Sequence, residues 1–176
     1  MAEKLIAVAG GGGFIGGHLV KHFLDQGHKV RSIDVKPMDE WYQTHDAAEN
    51  VQADLKQIDA CHRAVAGANE VYNLAADMGG MGFIETHKAE CMLSVLISTH
   101  MLVAARDAGT VERFFYSSSA CVYAADKQVS EDVIPLKESD AYPAMPEDGY
   151  GWEKLFTERL CRHFREDYGL PTRVAR

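Results

Sequence analysis

Leu5-Ile-Ala-Val-Ala-Gly10-Gly-Gly-Gly13-Phe-Ile-Gly16 decides the fold. An apolar run leads straight into glycines at positions 10, 13 and 16, and a helical apolar pattern begins at Phe14. The run reads as a strand buried on both faces, as parallel strands are. Gly10 permits a tight turn, Gly13 lets backbone N–H groups approach a pyrophosphate, and Gly16 lets the helix close on the strand. The helix start then offers free N–H donors and a positive dipole end, so Phe14 and Ile15 join the three glycines as candidate cofactor contacts. A flexible Gly-rich turn is the alternative, but a linker does not sit inside a hydrophobic strand–helix pair. The spacing is GxxGxxG rather than the GxGxxG of many dehydrogenases.

Outward from this stretch the pattern alternates. A helix is predicted over 14–26, with Gly27 as its C-cap, then a strand over 29–35. A short strand over 51–55, a helix over 56–67 and a strand over 70–76 follow. Residues 77–86 read as a glycine- and methionine-bearing loop before a long helix over 88–109. A strand over 113–118, a loop over 124–147, a helix over 149–168 and a strand from 171 complete the chain. The fold class is therefore α/β, a doubly wound parallel Rossmann-type sheet with helices on both faces. Residues 1–176 form one domain.

Composition sets the boundaries of function. Apolar content of 47% and charged content of 25% are ordinary for a soluble globular chain. A net charge of −8 argues against a nucleic-acid or anionic-membrane partner. No apolar run approaches the roughly 20 residues of a membrane span, and no signal peptide precedes the first strand. Cys61, Cys91, Cys121 and Cys161 have no metal or CxxC spacing and read as free thiols of a reducing compartment, hence a cytoplasmic protein. No histidine pair has metal-ligand spacing with an acidic third ligand, and no metal is expected. His18 and His22 face solvent; Met78, Met81, Met92 and Met101 read as core or pocket filler.

Chemistry concentrates at the carboxyl ends of the predicted strands, where such sheets bind ligands. Asp34 can accept hydrogen bonds from the adenosine ribose and would repel a 2′-phosphate, favouring NAD over NADP. Asp54 either reaches the adenine edge or caps the helix that follows. Leu55, Leu74, Ala75 and Ala76 lie at neighbouring strand ends and complete the candidate cofactor set. In Tyr150-Gly-Trp-Glu-Lys154 the tyrosine and lysine share one helix face. A nearby ammonium lowers a phenol's pKa and makes it a general base at neutral pH. Ser117-Ser-Ser119 at a strand end adds a hydroxyl that can bind the same reacting oxygen. Trp152 and Phe156 are expected to pack their helix against neighbours.

In this order, these elements resemble the extended short-chain dehydrogenase/reductases. Asn73-Leu-Ala-Ala-Asp-Met-Gly-Gly-Met-Gly-Phe83, Arg113-Phe-Phe-Tyr-Ser-Ser-Ser-Ala-Cys-Val-Tyr123 and Leu136-Lys-Glu-Ser-Asp-Ala-Tyr-Pro-Ala144 narrow the resemblance to the GDP-mannose 3,5-epimerases. It implies an NAD-dependent enzyme that oxidises C4 of a sugar nucleotide and epimerises C3 and C5 through the 4-keto form. Tyr150, Lys154, Ser119 and Cys121 become its catalytic residues, Cys121 as the base on one face. Related 4-epimerases usually carry threonine at that place. Gly79, Gly80, Met81, Ser119, Ala120, Cys121 and Tyr150 would contact substrate. Without the resemblance Cys121 reads as a buried structural cysteine. The long apolar helix implies a homodimer. Members of the family continue well past residue 176, so this chain is expected to bind NAD with little turnover alone. Another sugar-nucleotide 4-epimerase or dehydratase, or a non-catalytic NAD-binding module, are the competing readings.

Overall fold

The computed structural model describes residues 2–77, 79–128 and 135–176, with the side chains of Met81 and Gln128 outside that description. Six parallel strands form one sheet in the order β3-β2-β1-β4-β5-β6. They are β1 (Leu5–Ala9), β2 (Lys29–Asp34), β3 (Glu49–Gln52), β4 (Glu70–Asn73), β5 (Arg113–Ser117) and β6 (Thr172–Ala175). Helices α1 (Phe14–Asp25), α2 (Ile58–Val65), α3 (Met81–Thr86), α4 (Lys88–Ala108) and α5 (Asp148–Tyr168) connect them. The order reverses between β1 and β4, which opens a crevice at their carboxyl ends.

Strand alternation explains the layers. Ile6 and Val8 of β1 point to one face and pack with Val30 against Val20 and Phe23 of α1. Ala7 and Ala9 point to the other face, into a larger core that holds Val71, Phe114 and Tyr116 with residues of α2, α4 and α5. Small residues on that side of β1 leave room for the apolar faces of the helices.

Several expectations need correction. The third strand ends at Gln52 rather than 55, and Asp54 falls in the turn beyond it. The predicted 77–86 loop contains α3, with Gly80 as its N-cap; Met78 lies outside the described residues. Parts of the 124–147 loop are wound into 3-10 turns, Ala125–Gln128 and Glu138–Ala141. Trp152 and Phe156 are 47% and 53% exposed, because they lie opposite the buried stripe of α5. Met92 is also exposed, whereas Met101 is fully buried. Among the described residues one helix, α4, is long and apolar enough to cross a membrane by length and composition. It packs against α2 and α5 instead, with Cys91, Ile97, Met101 and Leu102 buried, as a core helix does. His18 and His22 are exposed, and no metal-binding cluster occurs among the described residues.

Candidate active site

The glycine turn is built as its spacing implies. Gly10 has φ +81°, and a side chain there would meet the backbone of Ala75 at 3.0 Å. A Cβ on Gly16 would fall on the Gly10 carbonyl oxygen, so α1 can start this close to β1 only with glycine. Gly13 is the helix N-cap and offers no side-chain cap, which leaves first-turn N–H groups without an intrahelical partner. Gly10, Gly13, Phe14, Ile15 and Gly16 all line one cavity of about 750 Å³. A glycine cradle and open donors at a helix start fit the pyrophosphate of a dinucleotide.

The cavity runs from this turn to α5, and every predicted cofactor residue lines it: Asp34, Asp54, Leu55, Leu74, Ala75, Ala76, Tyr150 and Lys154 besides the turn. Asp34 accepts hydrogen bonds from the backbone N–H groups of Gly12 (3.1 Å) and Lys36 (3.2 Å), which fixes its carboxylate at the end of β2. Asp54 does not cap α2, whose N-cap is Gln57. It accepts the Lys56 N–H at 2.9 Å and holds a turn at the cavity wall. Lys56 and Asp77, unremarked in the sequence, form an ion pair of 2.9 Å on the same wall. The Asp77 bond pushes the Lys56 ammonium above its usual range.

Tyr150 and Lys154 lie in the first turns of α5, 6% and 3% exposed. Two glycines bring them there. A Cβ on Gly149 would meet the Lys88 carbonyl at 2.8 Å, and one on Gly151 would fall on the Cys121 carbonyl. α5 is thereby seated on α4 and on the 3-10 turn Ala120–Val122, which the Glu147 N–H also reaches through the Cys121 carbonyl (2.9 Å). The three serines diverge. The Ser117 carbonyl accepts the Lys154 ammonium at 3.1 Å. The Ser118 hydroxyl donates to Glu158 at 2.5 Å. Ser119 caps the turn by accepting the Cys121 N–H (3.2 Å), and its side chain lowers the pKa of the Tyr150 phenol. Cys121 is half-buried and packs against the small cluster of Ile84, Cys91 and Tyr150.

The electrostatics differ from the expectation. Lys154 Nζ sits over the rings of Tyr116 (4.8 Å) and Tyr150 (5.5 Å) while donating to Ser117. The Tyr150 phenol is nonetheless raised: burial pushes its pKa up, and the Ser119 side chain opposes that rise. Burial also lowers the Lys154 pKa, against the attraction of Glu153. Gly79, Gly80, Ser119, Ala120 and Cys121 lie outside the main cavity wall, and the Met81 side chain is outside the described residues. Sequence reading missed Gly149, Gly151 and Glu153. The signal for Glu153 was present, since residues 150, 153, 154 and 157 share one helix face.

The switch-point crevice and glycine turn define a dinucleotide-binding Rossmann protein, with a Ser-Tyr-Lys cluster beside the cavity. The chain belongs to the NAD dependent epimerase/dehydratase family, whose model matches residues 6–176. It is 46% identical over 177 residues to GDP-mannose 3,5-epimerase 1 of Oryza sativa subsp. japonica, covering 99% of this chain and 46% of that protein. It is 42% identical over 172 residues to GDP-mannose 3,5-epimerase of Arabidopsis thaliana, covering 97% and 45%. Among solved structures, epimerase Mth375 from Methanothermobacter thermautotrophicus superposes with a TM-score of 0.83 at 26% identity, covering 99% of this chain and 51% of that one. The chain thus spans about half the length of these relatives.

Proposed function

We propose that the whole protein is a GDP-mannose 3,5-epimerase and that residues 1–176 are its NAD-binding domain. Similarity to the plant enzymes supports this substrate. The observation that carries the chemistry is one buried corner, where Lys154 Nζ lies 5.5 Å from the Tyr150 ring, Ser119 lowers the phenol's pKa and Cys121 packs against the cluster that holds Tyr150.

The Gly10–Gly16 turn holds the pyrophosphate and Asp34 the ribose, whose 2′-phosphate form it repels. Bound NAD supplies a hydride acceptor and donor at the sugar's C4. Tyr150 takes the C4 hydroxyl proton, Ser119 holds the same oxygen, and Lys154 supplies the positive charge that favours the phenolate. The burial that raises the phenol in the free site makes this assistance necessary. The 4-keto group acidifies the protons at C3 and C5; Cys121, as thiolate, removes a proton on one face, and an acid on the opposite face returns one to the same carbon, inverting it. Gly79, Gly80 and Met81, at the start of α3, receive the sugar ring together with Ala120. The enzyme works in a reducing, cytoplasmic setting as a homodimer. Its subunits meet on the outer faces of α4 and α5, where Met92, Leu96, Trp152 and Phe156 are exposed.

Incubation of the whole protein with NAD and GDP-mannose in deuterated water tests the reading. Deuterium at C3 and C5, lost in Cys121→Ser while NAD still binds, is the expected result. Exchange unchanged in that variant refutes Cys121 as the base, and no exchange in the parent refutes the reaction. Native mass spectrometry tests the dimer, which a monomeric mass alone would overturn.

A further inference from the structure

Glu153 is a buried carboxyl that the proposed reaction leaves unused. It is 2% exposed, on the same face of α5 as Tyr150, Lys154 and Thr157. Its Oε1 accepts hydroxyls from three elements: Thr157 of α5 (2.9 Å), Tyr116 of β5 (3.4 Å) and Ser98 of α4 (3.5 Å). Its Oε2 accepts no hydrogen bond among the described residues and lies 4.0 Å from Lys154 Nζ. Glu153 does not line the cavity, so it acts through its neighbour rather than on a ligand.

The lysine needs such a neighbour. A fully buried ammonium is costly unless it is paired. The Ser117 carbonyl and the faces of two tyrosines offer only dipoles and ring quadrupoles. Other titratable groups face this corner: Tyr116 from β5, Cys91 from α4, Cys121 from the 3-10 turn, and Tyr150 and Cys161 from α5. Burial pushes Tyr116, Cys91, Tyr150 and Cys161 up, Cys161 to about 12, which keeps them neutral at pH 7. Glu153 is the carboxylate in contact with the ammonium.

We propose that Glu153 is a positioning residue: tethered by three hydroxyls, its carboxylate is the counter-charge that keeps Lys154 an ammonium beside Tyr150. Burial raises the Glu153 pKa, and Lys154, Thr157, Tyr116 and Ser98 all pull it back, so each charge of the pair depends on the other. The assignment rests on Tyr150 and Lys154 being the proton-transfer pair, but its test does not require turnover.

The test is carbon-13 NMR of the lysine Cε and glutamate Cδ resonances across pH, with Lys154→Met and Glu153→Gln identifying the two signals. In the parent, Glu153 should read as a carboxylate at pH 7. In Glu153→Gln the Lys154 midpoint should fall by about one unit or more, and Glu153→Asp should restore part of the fall. A folded Gln variant with an unchanged Lys154 midpoint overturns the proposal. So does a protonated Glu153 at pH 7 in the parent, a result available even if the Gln variant fails to fold. A shifted midpoint in a protein without deuterium exchange would leave the counter-charge standing and refute the reaction alone.

Discussion

The two ends of the sheet each bury a glutamate, and they treat it in opposite ways. At the amino ends of the strands, Glu70 receives Lys4 (2.8 Å), Tyr72 (3.1 Å) and Arg113 (3.2 Å). Burial, the largest single influence, pushes its pKa up, but those three partners outweigh it and hold the carboxyl below its usual range. At the carboxyl ends, Glu153 has hydroxyls on one oxygen and a lysine at 4.0 Å from the other, and burial prevails. The first end ties β1, β4 and β5 together with saturated charge. The second keeps its charge under-partnered beside the cavity, where it can influence a neighbouring acid or base. On the proposed reading, stability and reactivity are divided between opposite ends of the strands.

Changes at each end should therefore be felt in different measurements. The largest effect belongs to the reactive end. Tyr150→Phe should cut deuterium exchange into GDP-mannose by about 10²–10⁴-fold with little change in Tm. An equal loss from Tyr72→Phe, at the other end, would erase the distinction. At the tied end, Glu70→Ala should cost about 1–2 kcal/mol in urea unfolding and leave NAD affinity unchanged. This is below the usual figure for a broken buried pair because water reaches Lys4 and Arg113.

The pH dependence has opposite signs at the two ends. Glu70's folded pKa lies below its unfolded value, so its stabilisation is complete above the unfolded pKa and disappears as pH falls through the folded one. Glu153's folded pKa lies above, so its contribution declines as pH rises from the unfolded value through the folded one. Glu70→Gln should flatten the acid limb of a stability–pH curve measured by thermal melts, and a limb as steep as the parent's would contradict this. The smallest effect is Tyr72→Phe on stability, below about 1 kcal/mol, because Glu70 keeps its two cations.

The chain's own pattern determined the alternation of strands and helices, the Gly10–Gly16 turn and thirteen candidate cofactor residues, all of which line the cavity. These are largely local properties: period-2 and period-3.6 burial, and, at Gly16, a glycine where a side chain would collide with the nearby Gly10 carbonyl. Tertiary structure alone decided the electrostatics of Tyr150, Lys154 and Glu153. Their shifts depend on how deeply α5 is buried against α4 and β5, and on which oxygens those distant elements present. It also decided the seat of α5 on the Cys121 turn, through Gly149 and Gly151. A sequence records which groups can ionise, but the free energy of ionising them is set by the surroundings that the fold assembles from remote parts of the chain.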